Sequence, residues 1–495
     1  MGPVPPPLSS PAGSASVATG RFGAVAAGHT LAIDAALDIL RAGGTAMDAA
    51  VAAHAVLCVI MPDACGLGGD SLFLVRGDAG VQAINGTGAV GAGAEASWAA
   101  DGGASVTVPG SVAAWSEAVS RHGRLGLARV LTPAIALAQH GFPAERPLCA
   151  AADAQRARLL RGGAADWSVL SARPGERIVQ PSLAEVLTAV AERGTAAYYA
   201  GWVAEAICRA AARDGGSLIP ADLASHRTVV TEPITIGWDG GTVHVQPPSS
   251  QGVLLAMALQ WVERFEVSGS TQLDHLGVEL TQAVFGFRDR CVQDGAALLE
   301  QRLEVNLAVA SRRGGPRSYL HTTGVAVADA EGMVVSSLLS VFDDFGSGTF
   351  VPECGLVLNN RAAGFTGPPN DPGAGRRPVH TLAPVILEIG DTVTALATPG
   401  ADGQVQTLLQ VLLAVRYGRQ DLATAISAPR WRSEEDSLLV GVGHPALRSL
   451  RELGHRVVPS VDADPRFGAV VSATSGPAGP SAAGDWRRQV ATGGA

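Results

Sequence analysis

His321-Thr322-Thr323-Gly324-Val325-Ala326-Val327-Ala328-Asp329-Ala330-Glu331-Gly332-Met333-Val334-Val335-Ser336-Ser337-Leu338-Leu339-Ser340 is the stretch from which the rest of this chain is best read. Val325 and Val327 alternate with small residues, Asp329 to Gly332 supplies turn formers, and β-branched residues resume at Val334. That pattern predicts a β-hairpin, with Thr322 opening its first strand. On pattern alone a threonine in that place is an ordinary β-former.

Outward on the N-terminal side, His29 to Gly44 reads as an amphipathic helix with Leu37 and Leu40 on one face and a glycine stop. Thr45, followed by Asp48, predicts an N-cap opening a second, buried helix that ends at Pro62. This is the most apolar run of the chain, but Asp48 and His54 interrupt it and it is too short to span a membrane. Gly66-Leu67-Gly68-Gly69-Asp70 then precedes a strand-like Ser71 to Val75. It has neither a phosphate-binding lysine nor a following helix, so close backbone packing is its expected role. A further helix is expected from Thr132 through Ala138. On the C-terminal side a strand is expected over Val385 to Ile389, then the turn Thr398-Pro399-Gly400-Ala401-Asp402-Gly403 and a helix from Gln404 to Tyr417. Residues 1–20 are expected to be a disordered tail.

The 495 residues carry 47% hydrophobic content and a net charge of -9, which excludes a disordered chain and lacks the basic stripe of a nucleic-acid binder. Lysine is absent, so all 36 basic side chains are arginines, whose planar fork matches carboxylates. Six cysteines show no paired spacing and read as reduced, buried thiols without a metal. No basic segment followed by an apolar one opens the chain, and the expected location is cytoplasmic.

Thr322, Asp329, Gly332, Ser340 and Phe345-Gly346-Ser347-Gly348 together resemble the start of the small subunit in the gamma-glutamyltransferase family. The block from Gly28 to Val75, Val108-Pro109-Gly110-Ser111-Val112, Tyr199-Ala200-Gly201 and Pro247-Pro248-Ser249-Ser250-Gln251-Gly252 keep that family's order. The resemblance implies an α/β chain folded as a four-layer αββα sandwich of the N-terminal-nucleophile hydrolase type. It also implies self-cleavage between His321 and Thr322, with segments 21–321 and 322–495 remaining associated as one domain. A small-molecule substrate is expected, with no cofactor, no nucleic acid and no membrane partner; assembly of processed pairs into an oligomer is left open.

The chemistry behind such a cut is general. A hydroxyl needs an adjacent base, and the α-amino group freed on Thr322, with a pKa near 8, would supply one. The family resemblance gives the oxyanion to the backbone amides of Gly400 and Ala401, and gives Ser340 the task of orienting the nucleophile. Its amino-acid recognition set is missing, however. Thr87 stands where the family's carboxylate-gripping arginine should lie, Gly364 where its ammonium-binding aspartate should, and Phe342 where an asparagine should. His380-Thr381 replaces a pair of serines, and Asp402 takes a position often filled by serine. A simple gamma-glutamyl peptide such as glutathione is therefore not the expected substrate. Arg361, next to Asn360, is the candidate replacement anchor for a substrate carboxylate, and His380 a candidate hydrogen-bond donor. The leading expectation is a hydrolase or acyltransferase of a small amide. Two alternatives stay open: a member that releases an oxalyl-type fragment by C–C cleavage, as in actinobacterial antibiotic pathways, and a non-catalytic scaffold.

Overall fold

A computed structural model describes residues 13–94, 99–267, 269–316 and 322–495. The expected hairpin forms from strands Thr323–Asp329 and Val334–Ser340, paired with Thr323 opposite Leu339. It is the centre of a seven-stranded sheet whose order is Ala491–Gly494, Gly23–Ala27, Thr323–Asp329, Val334–Ser340, Asp70–Gly77, Gly80–Asn85 and Val229–Thr231. A second seven-stranded sheet runs Ser16–Thr19, Ser481–Gly484, Val471–Ser475, Thr392–Ala397, Val385–Ile389, Gly241–Val245 and Ile234–Trp238. Every neighbouring pair in both sheets is antiparallel.

The two-residue alternation of the strands separates three hydrophobic layers. Val325, Val327, Val335 and Leu339 face a core shared with helices Thr30–Arg41 and Ala46–Ile60. Ala326, Ala328, Val334 and Leu338 face the other sheet, where they meet Ala395, Ala397, Val471 and Ala473. Val385, Leu387, Val243 and Val245 face helices Gly252–Val262, Ser270–Phe285 and Gln404–Arg416 on the far side. Helix, sheet, sheet and helix are thus stacked as the expected αββα sandwich. The space between the sheets is filled largely by alanine, which lets them approach closely.

Local signals set these elements in place. Thr45 and Asp48 form a reciprocal cap, with Asp48 N–H donating to Thr45 Oγ1 at 3.2 Å and Thr45 N–H to Asp48 Oδ2 at 3.1 Å. Such a cap contributes about 1 kcal/mol. Asp329 ties the hairpin turn to the same helix end, accepting Ala46 N–H at 2.8 Å and Met333 N–H at 2.9 Å. The glycine run works by close approach: a Cβ on Gly68 would lie 2.0 Å from the Val357 carbonyl oxygen, and one on Gly69 2.3 Å from that of Ser340.

Two expectations need correction. Ser16–Thr19, placed in the tail, is an edge strand paired with Ser481–Gly484, because its backbone completes that sheet. The helix expected from Thr132 begins earlier, at Leu127, and carries Pro133 inside it. All six cysteines are buried and unpaired, and among the described residues no helix is long and apolar enough to cross a membrane.

Candidate active site

Three strand ends meet on the inter-sheet face. Ser340 is the Cα partner of Asp70; Ser340 stands two residues after Leu338 and Asp70 two before Leu72, so both share the side-chain direction of those leucines, which lie between the sheets. Thr322, immediately before the Thr323–Asp329 strand, approaches Ser340: Thr322 Oγ1 lies 3.4 Å from Ser340 Oγ, a long contact for two hydroxyls. Ser340 Oγ also accepts Phe342 N–H at 2.9 Å. Thr322 is only 5% exposed. His321, the residue expected before the cut, lies outside the described residues.

From the opposite sheet, Thr392–Ala397 runs into the Pro399-Gly400-Ala401 turn. Gly400 has φ 129° and Ala401 φ 48°, so an alanine holds a left-handed conformation that glycine adopts more readily. Among the described residues neither of their amides has a hydrogen-bond acceptor. The turn is braced by Gln251, whose Nε2 donates to the carbonyls of Thr381 at 3.1 Å and Ala401 at 3.2 Å. Asp402 is held by Arg288 Nε at 2.7 Å. Pro399, Thr322 and Thr323 form part of the wall of a cavity of about 400 Å³ that is otherwise largely apolar, with Met61, Leu148 and Val490 among its lining. His29, bonded to Glu145 at 2.9 Å, and Arg488 add polar groups to its lining. Arg361, His380, Thr381, Asp402 and Thr87 are not among its walls.

Arg361 and His380 instead converge on Asp70, the last residue of the glycine-rich run before the strand. Arg361 Nε and His380 Nε2 each lie 3.2 Å from the same oxygen, Asp70 Oδ2, and all three side chains are fully buried. Gly88 N–H donates to Asp70 Oδ1 at 3.3 Å, which brings the adjoining Thr87 to the cluster, its own hydroxyl without a partner. Leu382 N–H donates to His380 Nδ1 at 3.2 Å, so the ring proton sits on Nε2 and points at Asp70. Burial pushes the His380 pKa down to about 4, helped by Arg361 and opposed by Asp70, so the ring is neutral near pH 7. Burial alone would raise the Asp70 pKa, but the His380 hydrogen bond and the Arg361 charge outweigh it and hold the carboxyl below its usual range. The Arg361 guanidinium lies 4.5 Å from the centroid of the Phe342 ring, and its Nη1 and Nη2 have no hydrogen-bond partner.

One further cluster has metal-like composition. His275, Glu279 and His455 place ligating atoms within 4.8 Å of one another. These atoms are already engaged: His275 Nδ1 bonds His455 Nε2 at 2.8 Å, His275 Nε2 bonds the Asn306 carbonyl at 2.8 Å, and Glu279 accepts Ser311 N–H at 2.8 Å. The cluster clamps the 304–316 segment to the helix Ser270–Phe285.

The chain is similar to known proteins over most of its length. The sequence profile described as Gamma-glutamyltranspeptidase matches residues 32–312 and 306–495. The chain is 34% identical over 493 residues to the oxamate amidohydrolase proenzyme of Klebsiella pneumoniae, covering 90% of this chain and 92% of that one. It is 31% identical over 487 residues to the glutathione hydrolase-like YwrD proenzyme of Bacillus subtilis, covering 89% and 92%. Among solved structures, cephalosporin acylase from Bacillus halodurans superposes with a TM-score of 0.85 at 26% identity, covering 99% of both chains.

Proposed function

Because the chain belongs to the gamma-glutamyltranspeptidase family, whose members here carry hydrolase and acylase names, we propose that it is a self-processing amide hydrolase with Thr322 as nucleophile. The observation that supports this reading is the 3.4 Å approach of Thr322 Oγ1 to Ser340 Oγ, with Thr322 lining the same cavity as Pro399, the residue before the Gly400-Ala401 turn. Cleavage before Thr322 would release its α-amino group, which takes the hydroxyl proton as Oγ1 attacks the substrate carbonyl. The two acceptor-free amides stabilise the oxyanion. The tetrahedral species then expels the amine, which leaves with a proton, and water hydrolyses the threonyl ester to return the enzyme. Ser340 Oγ, fixed by Phe342 N–H, orients Thr322.

The substrate class follows from what flanks the nucleophile. The position of the family's carboxylate-binding arginine is Thr87, and Gly364 offers no carboxylate for an ammonium group. One fully buried cation, Arg361, has free N–H donors in the same cluster. A small amide carrying a carboxylate, of the kind named for the Klebsiella relative, fits this better than a gamma-glutamyl peptide. Ammonia release from oxamate by the purified protein, compared with cysteinylglycine release from glutathione, tests the reading; equal turnover of both would overturn it.

A further inference from the structure

Asp70 touches both halves of the site. In the ladder it lies opposite Ser340, whose hydroxyl is 3.4 Å from that of Thr322. Through Oδ2 it holds Arg361 Nε and His380 Nε2, and through Oδ1 the Gly88 amide. A carboxylate bonded to Nε leaves the Nη1–Nη2 edge of a guanidinium open, and here both nitrogens are buried without a partner. Buried donors left unsatisfied in a folded protein call for an explanation, and a planar, two-oxygen acceptor is the group that matches such an edge. The Phe342 ring closes one face of the fork. Phe342 itself has φ 86°, a conformation a bulky residue rarely holds, and its N–H bond to Ser340 Oγ fixes it there.

Partner Cα atoms on adjacent strands lie about 5 Å apart, so Asp70 stands beside Ser340 at the strand ends. We propose that Asp70 is a positioning residue that presents the unpartnered Nη1–Nη2 edge of Arg361 to a substrate carboxylate. This rests on the reading of Arg361 as substrate anchor and goes beyond it by naming what aims the fork.

The test reads binding, so that it does not depend on turnover. Oxalate and its neutral diamide, oxamide, are titrated calorimetrically into purified full-length wild type, Asp70→Asn and His380→Gln. Wild type is expected to bind oxalate at least tenfold more tightly than oxamide, and Asp70→Asn to lose that preference. His380→Gln leaves the Asp70–Arg361 ion pair in place and serves if Asp70→Asn does not fold; it is expected to reduce the preference at least threefold at unchanged Tm. No preference in wild type, or a preference untouched in the folded variants, overturns the proposal. A wild type that prefers oxalate yet remains uncut before Thr322 supports the subsite and overturns only the nucleophile reading.

Discussion

Asp70 and Ser340 face each other across one rung of the central sheet, so the residue that orders the buried Arg361–His380 cluster stands beside the hydroxyl that contacts Thr322. The residues proposed for reaction and for recognition therefore stand on adjacent strand ends, and their variants are expected to separate by what each one loses.

Processing is the first expected outcome. Wild-type protein should yield two fragments divided between His321 and Thr322, and Thr322→Ala should remain a single chain. Intact mass spectrometry decides this. A cut that persists in the alanine variant places the nucleophile elsewhere.

Glutathione should be a poor substrate. Its α-carboxylate and ammonium would each lack a charge-assisted partner worth roughly 1.5 to 3 kcal/mol, which corresponds to about a tenfold to hundredfold loss per contact. Steady-state assays with glutathione and oxamate give the comparison, and equal kcat/KM would refute it.

Ala401 offers a test of the turn that leaves its amide in place. An alanine at φ 48° costs about 1 to 2 kcal/mol that glycine does not, partly offset by the greater freedom glycine has when unfolded. Ala401→Gly is expected to keep kcat within about threefold and to raise stability by roughly 0.5 kcal/mol. A large fall in kcat would show that the alanine methyl, and not only the backbone amide, serves the site.

The local signals in the sequence were sufficient for the hairpin, the Thr45–Asp48 cap and the glycine approach at Gly68 and Gly69, because each is decided within a few residues. Asp70 was visible only as a charge opening an otherwise apolar strand. Its partners Arg361 and His380 lie 291 and 310 positions away in sequence, and no periodicity reports a contact that distant. Arg361, the candidate anchor beside Asn360, is fully buried, because Asp70 offsets the cost of removing its charge from water. The strand Ser16–Thr19 was missed for a similar reason: four small residues carry little signal until the partner strand Ser481–Gly484 is in place.

Stability should fall in mild acid. The folded-state pKa of His380 is about 4 against about 6.5 when unfolded, so below pH 6.5 the unfolded chain binds a proton that the folded chain refuses. The stabilisation present at neutral pH is lost between pH 6.5 and 4, by an amount on the order of 3 kcal/mol for this one group. His54, His226, His444 and His455 shift in the same direction and steepen the loss. Asp70, whose pKa is lowered, adds a second loss further down, below its unfolded value of 3.8. Thermal melts from pH 7.5 to 4.5 should show a falling Tm in wild type and a shallower fall in His380→Gln; parallel curves would remove His380 from the account.

Arg361→Met separates recognition from chemistry. Methionine keeps much of the aliphatic volume and its contact with Phe342, but removes the fork. The Asp70 carboxylate then loses its cation and keeps only His380 and the Gly88 amide, so some loss of stability is expected as well. If the fork binds the substrate carboxylate before and during acyl transfer alike, its removal weakens both states equally, which raises KM and leaves kcat nearly unchanged. The expected rise is roughly 10- to 100-fold, from a charge-assisted bidentate contact. Cleavage before Thr322 is expected to use the threonine and the Gly400-Ala401 turn rather than the Arg361 fork, and two fragments should still form. A processed Arg361→Met protein with an unchanged KM for oxamate would place the carboxylate anchor elsewhere, with Arg488 on the rim of the cavity beside Thr322 the next residue to replace.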